Sequence, residues 1–112
     1  MQLYYLQEKL LFLRGCIQEV ETQVLSRKTQ TQEFVDEIAE KTCEIRGQTF
    51  SIHDHLSPRK ADLEQEIRNL EREIRQHKID CWRDVNNLLR DLRQFRKEYQ
   101  AAAGALWNPK RK

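Results

Sequence analysis

Residues 47–58, "GQTFSIHDHLSP", decide whether this chain of 112 residues is one long helix or two. On both sides of them the composition is uniform: Leu, Ile, Glu, Gln, Lys and Arg, all strong helix formers. Within the stretch, Gly47 is the expected stop of a first helix. Ser57 and Pro58 read as the start of a second, with Ser as N-cap and Pro at the first helical position, where its missing N–H costs nothing. The expected organisation is a helix over 1–46, a reversing loop over 47–57, a helix over 58–104 and a basic tail over 105–112.

Heptad periodicity carries this reading outward from the loop. In the first half one series of sevens runs Leu3, Leu10, Ile17, Val24, Thr31, Ile38, Ile45. Its interleaved partner runs Leu6, Leu13, Val20, Arg27, Phe34, Lys41. These are the a and d positions of a coiled coil. In the second half the stripe runs Leu63, Ile67, Leu70, Ile74, His77, Cys81, Val85, Leu88, Leu92, Phe95, Tyr99, Ala102, Leu106. Its spacing alternates between three and four except for two successive fours around Cys81, a stutter that locally unwinds a supercoil. The predicted fold class is all-α: two long helices forming an antiparallel coiled-coil hairpin. Each helix has about 45 residues, or roughly 65 to 70 Å at 1.5 Å per residue, and matched arms favour the hairpin over two parallel copies in an extended rod.

Folding the chain at about residue 52 sets Arg27 opposite His77. Arg27, Thr31, His77 and Asp80 are then expected to form a polar layer that fixes register, with Asp80 or Glu73 within reach of the guanidinium; an Arg27 that snorkels out of the seam is the alternative. Near the bend, Glu37 and Glu44 would share a flank with Glu66 and Glu73. Leu11, Leu25, Val35, Trp82 and Leu89 lie off the a/d seam. Both features favour a homodimer, either a four-helix bundle or an elongated coiled coil.

Composition narrows the class further. With 38% hydrophobic and 34% charged residues, the chain is suited to burying a narrow stripe rather than a broad globular core. The apolar N-terminus "MQLYYLQEKLLFLRG" is interrupted by Glu8 and Lys9, so no membrane association is expected. Cys16, Cys43 and Cys81 are odd in number and widely spaced, which suits reduced thiols inside a cell, in the cytoplasm or the nucleus. Residues 1–57 carry 6 basic and 9 acidic groups and residues 58–112 carry 14 and 9, so the halves have opposite net charge. Two segments packed on each other would have that asymmetry, and so would a basic second half that binds a polyanion.

His53, Asp54 and His55 offer imidazole and carboxylate, but three or four converging ligands are needed for a metal site and no other His/Cys cluster lies nearby in sequence. A polar turn held by Asp54 accounts for them. Phe50, Ile52 and Leu56 alternate around it and could fold over the helix ends as a plug. Ser57-Pro58-Arg59-Lys60 resembles the substrate consensus of proline-directed, cyclin-dependent-type kinases, which makes Ser57 a candidate phosphosite as well as a cap. No phosphate loop, paired catalytic carboxylates or nucleophile with a positioned base can be assembled. The expectation is a non-enzyme with no cofactor and no metal.

Two surfaces are candidates for binding. The open end of the hairpin gathers Tyr4, Tyr5, Leu11, Phe12, Phe95, Tyr99 and Trp107, joined as protein-contact candidates by Trp82 and Leu89 farther along. The outer face of the second helix carries Arg68, Arg72, Arg75, Arg83, Arg90, Arg93 and Lys97, a basic stripe able to follow phosphates. The terminal "NPKRK" resembles a short nuclear-import signal. The leading expectation is a coiled-coil scaffold subunit that assembles a larger intracellular complex through protein partners and self-association. A nucleic-acid-associated adaptor is the alternative.

Overall fold

In the computed structural model the described residues are 2–107, with the side chain of residue 2 excepted, so the "NPKRK" tail lies outside them. Two α-helices account for nearly all of this length: α1, Gln2–Phe50, and α2, Pro58–Trp107. The fold is an all-α, antiparallel, two-helix coiled-coil hairpin. The chain divides into two compact units, a terminal unit of Met1–Arg27 with Asp84–Lys112 and a loop unit of Lys28–Arg83.

In the loop unit, α1 does not stop at Gly47. No glycine among the described residues has a positive φ, and Gly47 sits inside the helix with open space around its Cα. The reversal is built three residues later. The Ser51 hydroxyl donates to Gln48 O at 2.7 Å, and Ile52 N–H donates to Thr49 O at 3.1 Å, so two orphan carbonyls of the helix end are satisfied locally. Asp54 then organises the return: its Oδ1 accepts Leu56 N–H at 3.0 Å and its carbonyl accepts Ser57 N–H at 3.2 Å. Ser57 O accepts from Ala61 N–H at 3.2 Å, the first bond of α2, so Ser57 holds the N-cap position. At the far end α2 continues through Gly104 to Trp107 instead of ending at 104.

The loop unit's seam on α1 is Thr31, Val35, Ile38, Thr42 and Ile45, all buried. Val35 and Thr42 take the places expected for Phe34 and Lys41, and Lys41 is exposed. Burying an ammonium is costly, whereas Thr42 satisfies its hydroxyl on Ile38 O at 2.9 Å. The inward positions on α1 thus step by four twice, from the half-buried Arg27 to Thr31 to Val35, a stutter on the first helix to match the one around Cys81 on the second. Across this seam Phe34 meets His77, ring centroids 4.0 Å apart, and on its flank Arg46 bonds Glu71 at 2.6 Å.

The terminal unit buries Leu13 and Val20 of α1 and Val85, Leu92 and Ala102 of α2. Leu3, expected in the seam, is 59% exposed. Arg27 donates from Nε to Asp84 Oδ2 at 3.0 Å, and Arg96 lies 4.0 Å from Glu21. Facing positions therefore sum to 111 (27 with 84, 34 with 77) and not to 104 as expected. The difference is one heptad. Because α1 runs on past Gly47, the pairing centres between residues 55 and 56, and α2 slides by the one interval that returns the a and d residues outside the stutters to the seam.

Candidate functional site

The N-terminal stretch of α1 is apolar nearly all the way round. Successive helical residues are about 100° apart, so Leu3, Tyr4 and Tyr5 point in three directions, and Leu10, Leu11, Phe12 and Leu13 repeat the spread one heptad later. Only part of that circumference can face α2. Leu13 is buried, but Leu3, Tyr4, Tyr5, Leu11 and Phe12 remain 59–69% exposed, and Trp107 in the same unit is 80% exposed. A helix that is apolar all round is ordinarily buried. Exposed contiguous apolar surface of this kind is the usual mark of an interaction site.

Of the residues expected at this end, the structure brings Leu11 and Tyr99 together. With Gln7, Leu10 and Arg14 they line an open groove of about 350 Å³. Phe95 and Tyr99 are half-buried at the seam, so they support the groove more than they present themselves. Leu89 is also half-buried, while Trp82, in the loop unit, is 71% exposed beside the exposed Ile79. Among the residues read as lying off the seam, Val35 belongs within it, and Leu11, Leu25 and Trp82 lie outside.

The expected polar layer takes a different form. Arg27 is engaged with Asp84 within the terminal unit, its side chain 27% exposed. In the loop unit Thr31 is buried and His77 stacks on Phe34, with Glu73 4.0 Å from its Nε2. Asp80 serves its own helix, accepting from Gln76 at 3.0 Å and pairing with Arg83 at 3.1 Å. Asp84 was not among the carboxylates expected near Arg27; the register fixes its role. The stutter itself was the available signal, since an arginine in one seam needs a carboxylate where the other seam is locally unwound.

The seven cations expected on the outer face of the second helix, Arg68, Arg72, Arg75, Arg83, Arg90, Arg93 and Lys97, are all exposed. Arg68 is bonded to Gln65 and Arg83 to Asp80, each within its own helix. Ser57 is half-buried at the start of α2. At the loop, His53, Asp54 and His55 are exposed. Among the described residues no group of three or more His, Cys, Asp or Glu side chains is placed to hold a metal ion. Phe50 and Leu56 do not plug the helix ends: each is 90% exposed, and only Ile52 of the three turns inward. Cys16 and Cys81 are half-buried and Cys43 exposed.

Together these features define a class, an antiparallel helical hairpin with an exposed apolar N-terminal helix segment. No helix among the described residues is long and apolar enough to cross a membrane. No protein-family model, curated protein or solved structure matches the chain.

Proposed function

We propose that the chain is a non-catalytic interaction module, a coiled-coil scaffold subunit that assembles an intracellular complex. The observation that carries this reading is the exposure of Leu3, Tyr4, Tyr5, Leu11 and Phe12 on one helical segment. Aromatic side chains contribute most to binding hot spots, and the groove beside Tyr99 gives a partner's side chain a place to enter. The partner surface best suited to it is another apolar helix face, a second copy of this chain included, which would extend the hairpin into a four-helix arrangement. The groove beside Tyr99 is open, and a site that excludes water for chemistry needs more enclosure.

Light scattering on the full chain and on the double variant Tyr5→Ser/Phe12→Ser tests self-association. A mass of two or more chains for the wild type and of one for the variant is expected; a wild type that stays monomeric as concentration rises overturns it. A second reading, a nucleic-acid adaptor, is favoured by the exposure of Arg72, Arg75, Arg90, Arg93 and Lys97, none of which is ion-paired among the described residues. Binding to a generic duplex that falls steeply with added salt would support it, and no binding at moderate salt would remove it.

A further inference from the structure

The reversing loop leaves two large apolar side chains in water for no reason internal to the fold. Phe50 closes α1 and Leu56 precedes the N-cap of α2, and each is 90% exposed. The turn does not need them: its hydrogen bonds come from Thr49, Ser51, Asp54 and Ser57. Beside Phe50 lies a groove of about 400 Å³, lined by Arg46, Thr49, Phe50, Ile52, Lys60 and Ile67. Its walls are apolar and its charge is of one sign. No carboxylate lines it, and the two charged groups are the Arg46 guanidinium and the Lys60 ammonium. Arg46 spends one donor on Glu71 and keeps the rest of its fork, while Lys60 is half-buried and has no ion partner among the described residues.

We infer that this groove is a second protein-docking site, which takes an acidic peptide segment bearing an aromatic or aliphatic anchor. The anchor sits against Phe50, Ile52 and Ile67, and a neighbouring carboxylate of the peptide accepts from Lys60 and Arg46. Charge complementarity selects the partner, since a half-buried lysine at an apolar wall gains most from a carboxylate that arrives with its own apolar cover. A concave site favours a peptide over a lipid surface, which would meet Phe50 and Leu56 but could not enter the groove. The site is separate from the N-terminal segment of α1, and its failure would leave the reading of that segment standing.

The test is selection of a random peptide library displayed on phage against the full chain, followed by anisotropy titration of the selected peptides as labelled synthetics. Selected sequences should carry acidic residues next to an aromatic or leucine. Their affinity should fall about tenfold in Lys60→Glu and in Phe50→Ser, survive in Lys60→Arg, and be unchanged in Tyr5→Ser/Phe12→Ser. Circular dichroism checks that Phe50→Ser keeps its helices, as expected for a side chain this exposed. Selection of peptides without acidic residues, or equal affinity for wild type and Lys60→Glu, overturns the proposal. So does a result in which Phe50→Ser abolishes binding to phosphatidylserine-containing vesicles while no peptide is selected.

Discussion

Two stretches of the same helix, residues 3–13 and 31–45 of α1, treat their apolar residues in opposite ways. From 31 to 45 the seam residues Thr31, Val35, Ile38, Thr42 and Ile45 are all buried, and the outer face carries Glu33, Asp36, Glu37, Glu40 and Glu44 in water. From 3 to 13 only Leu13 is buried, while five large apolar side chains stand exposed. One partner helix can cover a stripe, not a circumference. The later stretch is therefore complete as a hairpin arm. The earlier one has more apolar surface than its hairpin can use, which is why it is the stretch assigned to partners.

Stability measurements can break that contrast. Ile38→Ala should cost about 2 to 3 kcal/mol by denaturant unfolding, the low end of the range for core truncations because a two-helix seam has no second layer behind it. Phe12→Ser, measured at low protein concentration, should stay within about 0.5 kcal/mol. Comparable losses at the two positions would mean that Phe12 is part of the hairpin's own core. The position of the bend can be sharpened next. With Gly47 inside a helix and space around it, Gly47→Ala should raise stability by about 0.5 to 1 kcal/mol in thermal unfolding. A decrease would restore Gly47 as the helix stop, because a left-handed conformation there would be strained by a Cβ.

The smallest effect concerns the ion pairs of the two units. A double-mutant cycle on Arg27→Ala and Asp84→Ala should give a coupling of about 0.5 to 1 kcal/mol, and a cycle on Arg46 and Glu71 a smaller one, since the Arg46 side chain is 60% exposed against 27% for Arg27. Both should shrink with added salt. Zero coupling between Arg27 and Asp84 would reopen the register, since that contact and the Phe34–His77 pair define it.

Much of the fold was legible in the residues because burial and helical period are local properties of a sequence. Leu13, Val20, Thr31, Ile38, Ile45, Val85, Leu92 and Ala102 were all expected in the seams and are all buried. The Ser57-Pro58 start was legible for the same reason, since a cap is chosen by residues adjacent in the chain. Gly47 was misleading: glycine permits a left-handed stop without requiring one, and hydroxyls and carbonyls three residues later completed the turn instead. Of the candidate surface, the aromatic N-terminus could be read directly. Phe50 and Leu56 could not, because alternation near a bend is equally consistent with side chains folded in or left out.

The sequence by itself determined that two helices form, that they reverse between them, and most of the stripe that each buries, all consequences of period and capping within one segment. Register belonged to the tertiary structure alone. Outside the stutters a slide of one heptad returns the a and d residues to the seam, so the regular repeat does not fix it, and what distinguishes the alternatives is which groups meet across the helices: Arg27 with Asp84, and Phe34 with His77.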